Sequence, residues 1–226
     1  MSTDESSQKS RHLQLNLCKI LNLEEEEDYK KIKTDNLTQI GSSAHADNER
    51  EKNDFYATPQ SAVVNFLNCY LYRDKEVLDK NLWECSCGDG AISKILENNG
   101  YNVFSSDLID RGYGEQSDFM TYQENVGGGD IITNPPFKLI LPFLEHAIKL
   151  LENGNKLIFL MRLLCLEGKQ RNEFFKKHPI KYVYIHTTRI ACTLPDVQTK
   201  PVTAIAYAWY VWEKGYEGET VIRWLP

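Results

Sequence analysis

Leu82-Trp83-Glu84-Cys85-Ser86-Cys87-Gly88-Asp89-Gly90 is the stretch that decides the fold. Leu82–Ser86 is a short apolar, strand-forming run, the glycines mark a tight corner, and a helical pattern follows near 91–99. Strand, glycine turn and helix make the unit from which parallel α/β sheets are built. Working outward, strand-like runs recur at Asn102–Ser106, Asp130–Thr133, Leu157–Met161 and Tyr182–His186, with helical stretches near 138–152 and 167–177. Upstream, Thr58-Pro59 reads as a helix N-cap followed by proline at the first helical position, opening an amphipathic helix through about Tyr72. Downstream, Val202–Trp212 is a last apolar run rich in Val, Ile, Tyr and Trp. Alternating strands and helices predict a doubly wound α/β sheet with helices on both faces. The two closing strands lie too near each other for a crossover helix and are expected to pair antiparallel.

The chain divides by composition. Residues 1–53 are polar and charged and form an N-terminal arm, expected to be partly helical over about 12–33 or else solvated and disordered. Residues 54–226 form the α/β domain. The arm is a candidate partner-binding segment. Within 226 residues, Lys and Arg number 26 against 32 Asp and Glu, a net charge of −6. Residues 1–54 hold 8 basic and 12 acidic side chains, so −4 of that charge sits in residues 1–54 and −2 in the rest. Residues 160–200 carry 8 basic and 3 acidic side chains, a local excess of +5 that can neutralise phosphates. Nothing approaches the ~18 consecutive apolar residues of a membrane span, and the start lacks the pattern of a signal peptide. A cytoplasmic protein with free thiols is expected. Cys85 and Cys87, with no second cysteine or histidine pair nearby, make a poor zinc site, and no metal is expected.

Gly88 and Gly90 lie where a strand passes into a helix, and Asp107 follows Gly88 by 19 residues at the end of the next strand. Glycine lets backbone approach a ligand closely, and an acid ending the second strand commonly accepts from ribose hydroxyls. The full dinucleotide fingerprint is missing, because position 93 is Ser. A nucleoside cofactor without a pyrophosphate therefore fits better than NAD.

The run Asp130–Thr133 stops at Asn134-Pro135-Pro136-Phe137. Each proline holds the residue before it extended and removes an N–H, leaving a stiff loop rich in acceptors. Adenine's amino nitrogen is a poor nucleophile, since its lone pair is delocalised into the ring. The Asn134 side-chain oxygen and the Pro135 carbonyl can each accept one of its hydrogens, and Phe137 offers a ring for a planar base to stack on. Such chemistry needs neither a metal nor a nucleophilic side chain.

With these motifs in order, the sequence resembles the class I methyltransferases that use S-adenosyl-L-methionine, and among them the small adenine-specific DNA enzymes of phages and prophages. The resemblance runs from about Asp54 to the C-terminus. It implies a Rossmann-like, seven-stranded mixed sheet with an antiparallel last strand. It also implies methyl transfer to the N6 amino group of adenine in DNA, with Asn134, Pro135, Pro136 and Phe137 catalytic. Tyr56, Thr58 and Pro59 resemble the family's N-terminal cofactor motif, and Glu84, Ser86, Gly88 and Gly90 its cofactor loop. Asp107 matches the ribose-binding acid, and Asp118 and Phe119 the segment beside the cofactor's adenine. Lys169, Arg171 and Arg189, in the basic stretch, are the expected contacts to nucleic acid.

Three alternatives stand beside this one. The same tetrapeptide serves RNA adenine methylation. It also serves methylation of a glutamine side-chain amide in proteins, although those enzymes carry a helical N-terminal substrate domain that residues 1–53 are too polar to form. The third is a non-catalytic subunit that binds nucleic acid or a partner. No large inserted target-recognition segment is evident.

Overall fold

The computed structural model describes residues 57–190, 192 and 205–226. The N-terminal arm, Tyr56 and the start of the Val202–Trp212 run lie outside them.

An eight-stranded sheet forms the centre: β1 (Asn81–Glu84), β2 (Asn102–Asp107), β3 (Glu115–Gln116), β4 (Asp130–Thr133), β5 (Lys156–Arg162), β6 (Tyr182–His186), β7 (Tyr207–Glu213) and β8 (Val221–Leu225). Their order across the sheet is β3-β2-β1-β4-β5-β7-β6-β8. β1 through β5 pair parallel, while β7 runs antiparallel to both β5 and β6. The expected antiparallel pairing of β6 and β7 is therefore present. The sheet exceeds the expected seven strands by β8, which lies parallel to β6 at the edge, so the antiparallel strand is not the last. β8 escapes the sequence pattern because it is short, interrupted by Arg223, and exposes Ile222 and Trp224.

The central strands are apolar throughout because both sheet faces are covered. Leu82, Ile132, Ile158 and Leu160 point to one face, where α1 (Gln60–Leu67) and α2 (Ser93–Asn98) bury Phe66, Leu67, Ile95 and Leu96. Trp83, Ile131, Leu157 and Phe159 point to the other, against Phe143, Leu144 and Ala147 of α3 (Ile140–Leu150) and Phe174 of α4 (Lys169–Lys177). The period-2 alternation of strand side chains thus builds two cores from one sheet. α1 starts one residue later than the sequence predicts: Pro59, extended at φ −61° and ψ 136°, takes the N-cap, and Thr58 makes no capping bond.

Asp130, fully buried at the start of β4, fixes this strand to its neighbours. Its carboxylate accepts the backbone N–H of Asp79 at 2.8 Å and of Lys156 at 2.7 Å, joining β4 to the entries of β1 and β5.

Candidate active site

β1 has β2 on one side and β4 on the other, so the chain reverses direction across the sheet between β1 and β4. In open α/β sheets a crevice forms at the carboxyl ends of the strands at such a point. Here a cleft of about 370 Å³ opens there, and the glycine turn after β1 and the loop after β4 both reach it.

The turn is shaped by left-handed backbone at Gly88 (φ +55°) and Gly90 (φ +79°). Gly88 donates its N–H to Asp107 Oδ2 at 2.9 Å, and Ile109 donates to Asp107 Oδ1 at 2.9 Å. A carboxylate has about four acceptor sites, so Asp107 is aimed by these bonds and keeps acceptor capacity toward the cleft it lines. Gly90 answers to a different constraint: an added Cβ would lie 2.5 Å from the Tyr113 ring.

Glu84 ends β1 with its carboxyl buried against the cleft. It accepts from both the backbone N–H and the hydroxyl of Ser93, and the Ser93 hydroxyl meets that of Ser105 at 2.6 Å. Ser93 is the residue that breaks the dinucleotide fingerprint, and its hydroxyl holds the acid in place. Loss of solvent pushes the Glu84 carboxyl up to about 8, against the lowering effect of the Ser93 bonds. Cys85 and Cys87 are free thiols, also raised chiefly by burial, Cys87 to about 12. Neither is a ready nucleophile.

Across the cleft, Asp118 caps a short turn (Phe119–Thr121) by accepting Met120 N–H at 2.9 Å. Phe119 beside it is a core residue with one edge in the cleft, its ring 5.2 Å from that of Trp83.

The tetrapeptide follows β4 directly. Thr133 Oγ1 reaches the Ser86 carbonyl at 3.4 Å, a direct link between the two loops. Asn134 Nδ2 donates to Thr58 Oγ1 at 3.1 Å. The Pro136 carbonyl accepts Leu139 N–H at 2.9 Å, starting the turn into α3. Phe137 leaves the cleft wall: its ring packs 5.8 Å from Tyr207, with the Arg162 guanidinium 4.5 Å from its centroid.

Thr58, Glu84, Ser86, Asp107, Asp118, Phe119, Asn134 and Pro136 therefore share one cleft. Pro59, Gly88, Gly90, Pro135 and Phe137 shape the surrounding backbone without lining it. Sequence reasoning missed Leu108, Ile109, Met120, Lys138 and Leu139, which also line it. The signal was available for Leu108 and Ile109, the apolar pair directly after the second-strand acid. Among the basic candidates, Lys169 and Arg189 are exposed. Arg171 is turned inward, its Nε on the Cys165 carbonyl at 2.8 Å and its Nη2 on that of Glu167.

The architecture is the class I methyltransferase fold. Neither a known family pattern nor a curated protein sequence matches the chain. Among solved structures, it is similar to the methyltransferase subunit of a type I restriction-modification system from Streptococcus thermophilus, with a TM-score of 0.55, 13% identity, and 75% of this chain and 47% of that one covered. It is similar to a candidate RNA methyltransferase from Pyrococcus horikoshii at a TM-score of 0.53 and 17% identity, over 72% and 87% of the two chains. A third is the type IIG restriction endonuclease BpuSI, at 0.51 and 11%, over 74% and 27%. The chain thus spans about half of the Streptococcus subunit, and the likeness is one of fold. Among the described residues no helix is long and apolar enough to cross a membrane.

Proposed function

We propose that this chain transfers a methyl group from S-adenosyl-L-methionine to the N6 amino group of adenine in DNA. The observation that carries the reading is the shared cleft: Asn134 and Pro136 face the same space as Glu84, Ser86 and Asp107. The donor set fits this cofactor. Asp107 offers acceptors to ribose hydroxyls, and the buried Glu84 carboxyl suits an ammonium, whose charge would favour its ionised form. Leu108, Ile109 and Met120 supply apolar contact beside Asp118 for a heterocycle. The bound cofactor supplies an electrophilic methyl on a sulfonium.

The chain's own work is positioning. Thr58 holds the amide nitrogen of Asn134, which orients the amide so that its oxygen can accept from an amine. By accepting one of the amine's hydrogens, the Asn134 oxygen concentrates the lone pair on nitrogen, while Pro135, which does not line the cleft, keeps the loop stiff. Holding that nitrogen where a bound cofactor would present its methyl would contribute much of the rate. The proton lost on methylation passes to solvent from a nitrogen made strongly acidic by alkylation. In a duplex the adenine must leave the stack to reach the cleft.

The test is incubation with cofactor labelled in its methyl group and separate pools of duplex DNA, single-stranded DNA, RNA and protein. Label recovered as N6-methyladenine from DNA is the expected result. Label confined to RNA or protein rejects the DNA assignment, and label in no pool rejects transfer to all of these substrates.

A further inference from the structure

Arg162 is the last residue of β5 and stands opposite Tyr207 in the antiparallel ladder. Both press on Phe137, the last residue of the tetrapeptide, with the guanidinium carbon 4.5 Å from the ring centroid. Its backbone is also fixed, since its carbonyl accepts the Tyr210 hydroxyl at 3.1 Å. The end of β5 is therefore bound to the catalytic loop.

The charged end of the side chain is only partly accounted for. Arg162 Nε is buried without a hydrogen-bond partner, and no carboxylate among the described residues pairs with it. Several other cations of the domain are matched: Arg73 and Arg223 by Asp74, Lys181 by Glu76 and Glu213, and Arg171 by two carbonyls. Buried polar groups are nearly always hydrogen-bonded, and one that is not calls for a specific explanation, a bound ion among them. A guanidinium stays charged at all working pH, and its planar fork matches an oxyanion. A nucleotide entering the cleft brings phosphates with it, and these are the anions at hand.

We propose that Arg162 binds a phosphate flanking the target adenine, so that the side chain pressing on Phe137 also fixes the backbone of the substrate nucleotide. This rests on the reading of the chain as a DNA adenine methyltransferase. Contact with the Phe137 ring holds the guanidinium in one place before substrate arrives, which reduces the ordering needed on binding.

The test uses a DNA strand with one adenine, in the context most methylated in the pooled assay, single-stranded or annealed as that assay prefers. The phosphate on its 5′ or its 3′ side is replaced by an uncharged methylphosphonate. Binding is followed by fluorescence anisotropy with S-adenosylhomocysteine present, and methyl transfer in parallel. For the wild type, one of the two replacements weakens binding about tenfold. Arg162→Ala weakens binding of the natural strand by a similar factor, lowers the salt slope by about one, and is insensitive to that replacement. Arg162→Lys, which keeps the charge and the fold, recovers part of the affinity. If both replacements leave the wild type unaffected, or if the Arg162→Ala and methylphosphonate losses multiply, Arg162 does not touch that phosphate. That result leaves the adenine reading standing; a wild type that methylates no DNA overturns both.

Discussion

Asn134 donates its side-chain N–H to the Thr58 hydroxyl at 3.1 Å, a bond spanning 76 residues of sequence. The loop after β4 is thereby braced by the segment that enters α1. Thr58→Val keeps the shape and removes the acceptor, which frees the amide to rotate. Turnover should fall about tenfold, the effect of one hydrogen bond at a reacting group. Affinity for the cofactor should change by less than turnover does. Single-turnover rates and calorimetric cofactor titration separate the two, and equal losses in both would place Thr58 in cofactor binding alone.

Asn134→Ala removes the amine's acceptor itself. Loss of one preorganised hydrogen-bonding group at a transition state lowers kcat about 10²–10³-fold. The cofactor contacts assigned to Glu84 and Asp107 do not involve this side chain, so calorimetric affinity should stay within about threefold. A variant that still turns over at the wild-type rate would remove Asn134 from catalysis.

Much of this site was legible in the sequence because its parts sit at strand ends, where short-range pattern and topology coincide. Glu84, Asp107 and Asn134 each end or directly follow a strand whose apolar run is readable, and parallel order alone brings such ends to one edge. What stayed hidden depends on side-chain direction. Arg171 looks like a phosphate ligand in a basic stretch, yet it turns back onto carbonyls preceding its own helix. Phe137 is an aromatic next to two prolines, but only the fold reveals that Arg162 and Tyr207, distant in sequence, press on its ring. β8 carries too weak an alternation to be read without β6 beside it.

That inward turn makes Arg171 distinguishable from its neighbours. Arg171→Ala strips donors from the Cys165 and Glu167 carbonyls and should lower stability by roughly 1–3 kcal/mol, with the salt dependence of DNA binding unchanged. For exposed Lys169 and Arg189, alanine should leave stability within about 0.5 kcal/mol and reduce the salt slope by about one each if they meet phosphates. Denaturant melts and binding isotherms at several salt concentrations report the two effects separately.

Gly90 should reject even a methyl group. Its φ of +79° is strained for any L side chain, and the added carbon would lie 2.5 Å from the Tyr113 ring. That ring is tethered by its hydroxyl to Glu97 at 2.9 Å and faces Lys94, so it cannot swing away without breaking those contacts. Gly90→Ala should cost about 1–3 kcal/mol in stability and weaken cofactor binding by deforming the turn. Gly90→Ala combined with Tyr113→Ala should recover the steric part and leave the backbone part, which denaturation of all three variants resolves.

Glu84 gives the domain a pH signature. Burial raises its carboxyl from the ordinary 4.5 to about 8, so the folded chain holds this proton more tightly than the unfolded chain does. The resulting stabilisation is complete below about pH 4.5 and declines until about pH 8, above which the carboxyl is ionised in both states. Within that window the slope is at most about 1.4 kcal/mol per pH unit. Glu84→Gln, which keeps the shape and never ionises, should therefore lose less stability than the wild type between pH 5 and pH 8. Cofactor affinity should move in the opposite sense, rising through the same range in the wild type as the carboxylate that meets the ammonium forms, and staying flat in the variant. Urea denaturation and cofactor titration across pH 5 to 9 check both, and parallel curves for the two proteins would show that Glu84 does not titrate there.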